Sequence, residues 1–143
     1  MRKVQKINLE FEEEEIMSAI GVSSGYSDYR MAWTLNNVFD WKFEFSPETL
    51  CIPVKKSSTQ YRFHFHQYKS NEDKFELYLL KNKQEGKSFF EDYPQFDFVL
   101  FFRKNISLNP EEVLKELREL DPIIAAYRCS SSDFVSSKFL IFD

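Results

Sequence analysis

Glycine is scarce, with three in 143 residues. Loops that cradle phosphate on bare backbone need several glycines close together, and neither a P-loop nor a dinucleotide-binding pattern is present. A Gly-x-Ser-x-Gly nucleophile elbow is missing as well. The two cysteines, Cys51 and Cys129, are too few for a disulfide framework and have no zinc-finger spacing. Five prolines rule out a Pro-rich linker. Positive charge is in deficit, 19 Lys and Arg against 23 Asp and Glu, so no global field draws nucleic acid or an acidic membrane to the chain. Behind Met1, Arg2 and Lys3 the residues alternate in polarity instead of forming an apolar signal core. A cytoplasmic protein that needs neither cofactor nor membrane is the expectation.

Aromatic side chains are abundant: 16 Phe, 7 Tyr and 2 Trp. Together with 43% apolar and 29% charged residues they describe one globular domain, residues 1–143, that buries roughly two-thirds of its surface on folding. Most rings lie in short alternating segments, the pattern of side chains packed on a pleated sheet.

Residues 4–11 alternate Ile7, Leu9 and Phe11 with polar neighbours and predict a first strand. The acids Glu12 to Glu15, ahead of Ile16, Met17, Ala19 and Ile20 with Gly21 as a stop, predict a short helix. Ser27 caps a second helix with Asp28 in its first turn, and Met31, Ala32, Leu35, Val38 and Phe39 form its buried stripe. Tyr29 and Trp33, four apart on an adjoining flank, are expected to widen that core contact, with an exposed aromatic pair as the alternative.

From Trp41 the period changes to two through Phe43 and Phe45. A Ser46–Pro47 turn follows, then a short strand over 50–54 that Pro53 marks as an edge. Tyr61, Phe63 and Phe65, then Phe75, Leu77 and Leu79, alternate on either side of a polar turn and predict a hairpin. Residues 98–102 are apolar without alternation, as in a strand covered on both faces. Asn109, Pro110 and Glu112 predict a capped helix with a stripe of Val113, Leu114, Leu117 and Leu120. A strand over 123–129 completes a strand–helix–strand unit, and the apolar segment to Phe142 should pack. The expected fold is α+β: an antiparallel or mixed sheet of about six to eight strands, carrying two N-terminal helices and one C-terminal helix.

Chemistry-bearing residues are sparse. His64 and His66, the only histidines, stand at i and i+2 of one strand, so both imidazoles share a face as two ligands of a metal site would. Asp97 sits between Phe96 and Phe98, either tying a turn or buried and shifted in pKa. Asp28, Tyr29 and Arg30 open a helix and can bind a partner there, although capping and a local ion pair also explain them. Cys51 and Cys129 have apolar or small neighbours, as inert buried thiols do.

Three segments carry a family likeness: Asp28–Tyr29–Arg30–Met31 with Leu35–Asn36, the run from Phe90 to Phe98, and the run from Ser137 to Phe142. In these the chain resembles the IPExxxVDY family of small bacterial proteins. Phe90, Glu91 and Asp92 stand at the Ile-Pro-Glu positions and Phe96, Asp97 and Phe98 at Val-Asp-Tyr, with Asp97 the identical residue. The resemblance implies a cytoplasmic protein without an assigned reaction, encoded near ribonuclease III and pyruvate kinase genes. The leading expectation is a non-catalytic domain that binds a protein partner or a second copy of itself. A metal or small-ligand enzyme centred on His64 and His66 is the first alternative. An RNA-associated accessory protein, drawn from the net positive segment 55–104 and the implied gene context, is the second.

Overall fold

The computed structural model describes residues 15–54 and 59–142. The strand predicted over 4–11 lies outside them.

The sequence prediction of a helix over residues 12–20 is corrected in its described part: Ser18–Ser23 is a strand, β1. Ile20 and Val22 enter the core on one side of the sheet, Met17 and Ala19 on the other. Burial on both faces leaves no polar side for a surface helix, and β-branched Ile20 and Val22 suit a pleated strand. Gly21, read as a helix stop, lies within that strand.

The remaining strands are β2 (Glu44–Pro53), β3 (Gln60–Ser70), β4 (Phe75–Lys81), the short pair β5 (Lys83–Gln84) and β6 (Lys87–Ser88), β7 (Phe98–Arg103) and β8 (Ala125–Ser130). Six of them form one antiparallel sheet in the order β2-β3-β4-β7-β1-β8, while β5 and β6 pair separately. Among the described residues Pro53 does lie on an edge strand, because β2 is the first of the six. β1 pairs antiparallel with both β7 and β8, so the predicted strand–helix–strand unit is split by an intervening strand.

Two helices are described, where three were expected. α1 (Asp28–Phe39) buries Met31, Ala32 and Leu35; α2 (Pro110–Arg118) buries Val113, Leu114 and Leu117. Both stripes join Ile20, Leu77, Leu79 and Leu100 in one cluster, so both helices cover the same face of the sheet. Among the described residues the second face has no α-helix, only the 3-10 turns Ser131–Asp133 and Val135–Phe139 that flank Phe134. It is covered by Phe89, Phe90 and Phe96 of the loop before β7, and by Phe134 and Phe142 beyond β8, packed on Phe63, Phe65, Tyr78 and Phe101. Each such ring, removed from water, contributes about 1.5–3 kcal/mol. This arrangement keeps β7 apolar on both sides, with its residues from Phe98 to Phe102 all buried.

The helix ends follow local chemistry. Ser27 accepts a hydrogen bond from the Arg30 amide, and Asp40 closes α1 in the left-handed region at φ 60°. Asn36 then ties the helix to the next strand, its side chain both accepting from and donating to the Phe43 backbone. At α2 the side chain of Asn109 accepts from Glu111. The expected box through Glu112 is replaced by this single bond.

Candidate functional site: an aromatic surface on α1 and β2

Tyr29 and Trp33 are not core residues: they are 62% and 67% exposed. The helix explains this correction. Trp33 is two positions from both Met31 and Leu35, about 200° around the axis from each, and Tyr29 lies one turn before Trp33 on the same outer side.

Phe45, on β2 beside a register shift in its pairing with β3, brings a third ring to this surface. It is 41% exposed and stacks on Tyr29 with centroids 5.7 Å apart and planes at 19°. The sequence signal for Phe45 was its alternation with Trp41 and Phe43, which places it on the helix-covered side of the sheet.

Beneath these rings lies His66, 3% exposed. Its imidazole meets Tyr29 edge-on at 5.3 Å and Phe45 at 5.3 Å and 76°. His64 is exposed and rests against the other side of the cluster, 5.2 Å from the Phe45 centroid. The side-chain amide of Gln84 accepts from the His64 N–H and donates to its carbonyl, both at 2.8 Å, standing in for a neighbouring strand. The histidines therefore share a face, as their spacing predicts, and a phenyl ring packs against both imidazoles. Among the described residues no group of three or more His, Cys, Asp or Glu is placed to hold a metal ion.

Among the described residues, His66 Nδ1 is the one buried side-chain polar atom with no hydrogen-bond partner. Burial pushes the imidazole below its usual pKa, and the Asp28 carboxylate acts in the opposite direction. A sign follows for stability. Between the lowered native value and the ordinary value of about 6.5, the unfolded chain binds the proton and the native chain does not. Stability contributed by neutral His66 is therefore complete above about pH 6.5 and declines as pH falls below it. Denaturant titrations from pH 7.5 to 5.5 should show this decline in the wild type, and a smaller one in His66→Gln. Equal slopes would contradict it.

The other predicted residues go elsewhere. Arg30 stacks over Tyr26 at 4.4 Å and forms no ion pair with Asp28, whose Oδ1 instead accepts from the Tyr29 amide. Asp97 ties loops together: its carboxylate accepts from the Ser24 amide, its N–H donates to Val22 and its carbonyl accepts from Asn82. Burial, reinforced by Asp133, pushes the Cys129 thiol up to about 11, and Cys51 lies half-buried with its sulfur 3.9 Å from Thr49 and Arg62 groups. A separate cleft of about 590 Å³ opens between Ile52, Tyr61, Lys87, Phe89 and Val135. It gathers neither histidine nor cysteine, and its Asp92 carboxylate is engaged by the Val135 amide.

Comparison with protein-family models, with curated proteins and with solved structures finds no match to the chain.

Proposed function

We propose that this chain is a non-catalytic binding domain that engages a protein partner through Tyr29, Trp33 and Phe45. The observation that carries the reading is the adjacency of these rings. Three large aromatic side chains, each more than two-fifths exposed, project from α1 and β2, with two of them in direct stacking contact. Exposed aromatics grouped in this way are interface anchors, since rigid rings bury large area at small conformational cost.

The sheet edges offer less. On β8 the Arg118 guanidinium donates twice to the Ala126 carbonyl, occupying an acceptor on the outermost strand. β2 is interrupted by its register shift and ends at Pro53. Edges interrupted like this resist strand addition, so the partner docks on a face.

Cytoplasmic residence and the likeness to the IPExxxVDY proteins belong to this proposal. No helix among the described residues is long and apolar enough to cross a membrane. RNA is the weaker partner, because a net charge of −4 opposes the phosphate contacts on which such binding depends.

A photo-crosslinking amino acid at Trp33 tests the reading in cells that natively express the protein, with the same group at Ile106, 78% exposed, as control. A discrete adduct at residue 33 and not at 106 supports it. An adduct of twice the chain mass identifies a second copy as the partner. Indistinguishable patterns at the two positions overturn it.

A further inference from the structure

We propose that the group received by this surface is an arginine side chain presented by the partner, its guanidinium lying on the Tyr29 and Trp33 rings within reach of Asp28 and above the buried His66. This deepens the proposed function and rests on it.

Three observations converge on a cation. The rings of Tyr29 and Trp33 are largely exposed, one face of Tyr29 being taken by Phe45, and aromatic rings attract positive charge and hold a planar guanidinium best by stacking. Asp28 supplies a carboxylate at the same end of α1, and its field reaches His66. His66 contributes an unpartnered nitrogen, and an imidazole kept neutral by burial does not repel the incoming charge. In neutral imidazole one ring nitrogen is an acceptor, and guanidinium carries five donors in a fixed plane.

The start of a helix carries about half a positive charge and favours anions. Here its first amides are occupied, Tyr29 by Asp28 and Arg30 by Ser27. The full negative charge of Asp28 outweighs the remaining dipole. Nδ1 is covered by protein, so a guanidinium bonds to it only if the Tyr29 ring turns away from its contacts with Phe45 and His66. Lysine fits less well, because its compact, strongly hydrated ammonium neither stacks nor donates in a plane.

The test uses the full chain and four blocked pentapeptides, Gly-Ser-X-Ser-Gly, in which X is arginine, lysine, leucine or glutamate. Binding is read from the Trp33 indole N–H and the His66 ring signals by NMR. The arginine peptide should give saturable shifts at both residues, with the lysine peptide roughly threefold or more weaker and the other two inert. Tyr29→Ala and Asp28→Asn should each weaken the arginine peptide by about fivefold. Tyr29 is exposed and Asp28 half-buried, and asparagine is tolerated at helix starts. Equal responses to leucine or glutamate overturn the proposal, as does arginine binding that both substitutions leave unchanged, which is general attraction to an acidic protein. If the arginine peptide fails while the residue 33 crosslink persists, the partner reading stands and the arginine inference falls.

Discussion

Replacing Asn82 with leucine is expected to remove about 3–5 kcal/mol of stability, the larger of two effects anticipated away from the aromatic surface. Asn82 is completely buried. Its side-chain nitrogen donates to the Tyr93 and Phe96 carbonyls, and its side-chain oxygen accepts from the Phe90 amide at 2.7 Å. Its own backbone donates to Asp97 and accepts from Phe89. One residue thus holds the loop that lays Phe89, Phe90 and Phe96 on the face of the sheet opposite the two α-helices. Leucine conserves bulk but strands the Phe90 amide and the Phe96 carbonyl away from water, each at a cost of about 1–3 kcal/mol, while the Tyr93 carbonyl keeps its bond from the Phe96 amide. For a domain of this size the melting temperature should fall by roughly 10–20 °C. A loss below about 1 kcal/mol in urea unfolding would mean that water or an alternative loop conformation replaces these bonds. Asn82→Asp separates the roles: it retains an acceptor for Phe90 and, when ionised, has no donor, and it should destabilise more at pH 8 than at pH 5, because burial penalises the charged form of the carboxyl.

The second large effect is expected at Gly21. Strand propensity alone favours alanine or valine over glycine at a central strand position. The structure reverses this order, because a Cβ on residue 21 would overlap the ring of Phe96. That ring has little room to move: it is 4% exposed, stacks on Tyr93 at 5.4 Å and touches Tyr127 at 6.3 Å. Gly21→Ala should cost about 1–3 kcal/mol and Gly21→Val more. In the Phe96→Leu background, the further cost of Gly21→Ala should shrink by at least half, a coupling measurable in a double-mutant cycle. A stabilising Gly21→Ala in the wild-type background would contradict the observed packing of Phe96 on β1.

Legibility differs from element to element for physical reasons. Ser27 and Asn109 announce their helices because capping is a contact between near neighbours in the chain. The hairpin of β3 and β4 is read from alternation on either side of a polar turn, again local information. The acids before Ile16 mislead, since a favourable first turn counts for little when the next residues are buried on both sides of a sheet. Tyr29 and Trp33 mislead differently. Their spacing shows that they share a side of α1, but the side left in water depends on where the sheet lies.

The candidate site is divided in the same way. That His64 and His66 share a face is a property of any strand, and that Tyr29 and Trp33 share one is a property of any helix. The meeting of Tyr29 with both histidines around Phe45, with an unpartnered nitrogen beneath, joins α1 to the β2–β3 hairpin and has no local signal. Neither does the role of Asn82, whose polar neighbours mark a loop but not the backbone groups it would be asked to satisfy.

By itself the sequence determined the class of fold, the capped helices, the doubly buried strand at 98–102 and the want of any assembled phosphate-binding or nucleophile motif, all of which depend on residue type and short spacing. Only the tertiary structure decided which rings reach the solvent, that loops and 3-10 turns cover the face opposite the two α-helices, and that Asp28, Tyr29, Phe45 and His66 share one place. Such juxtapositions arise from long-range packing, where the energy of a residue depends on neighbours that its own stretch of chain does not specify.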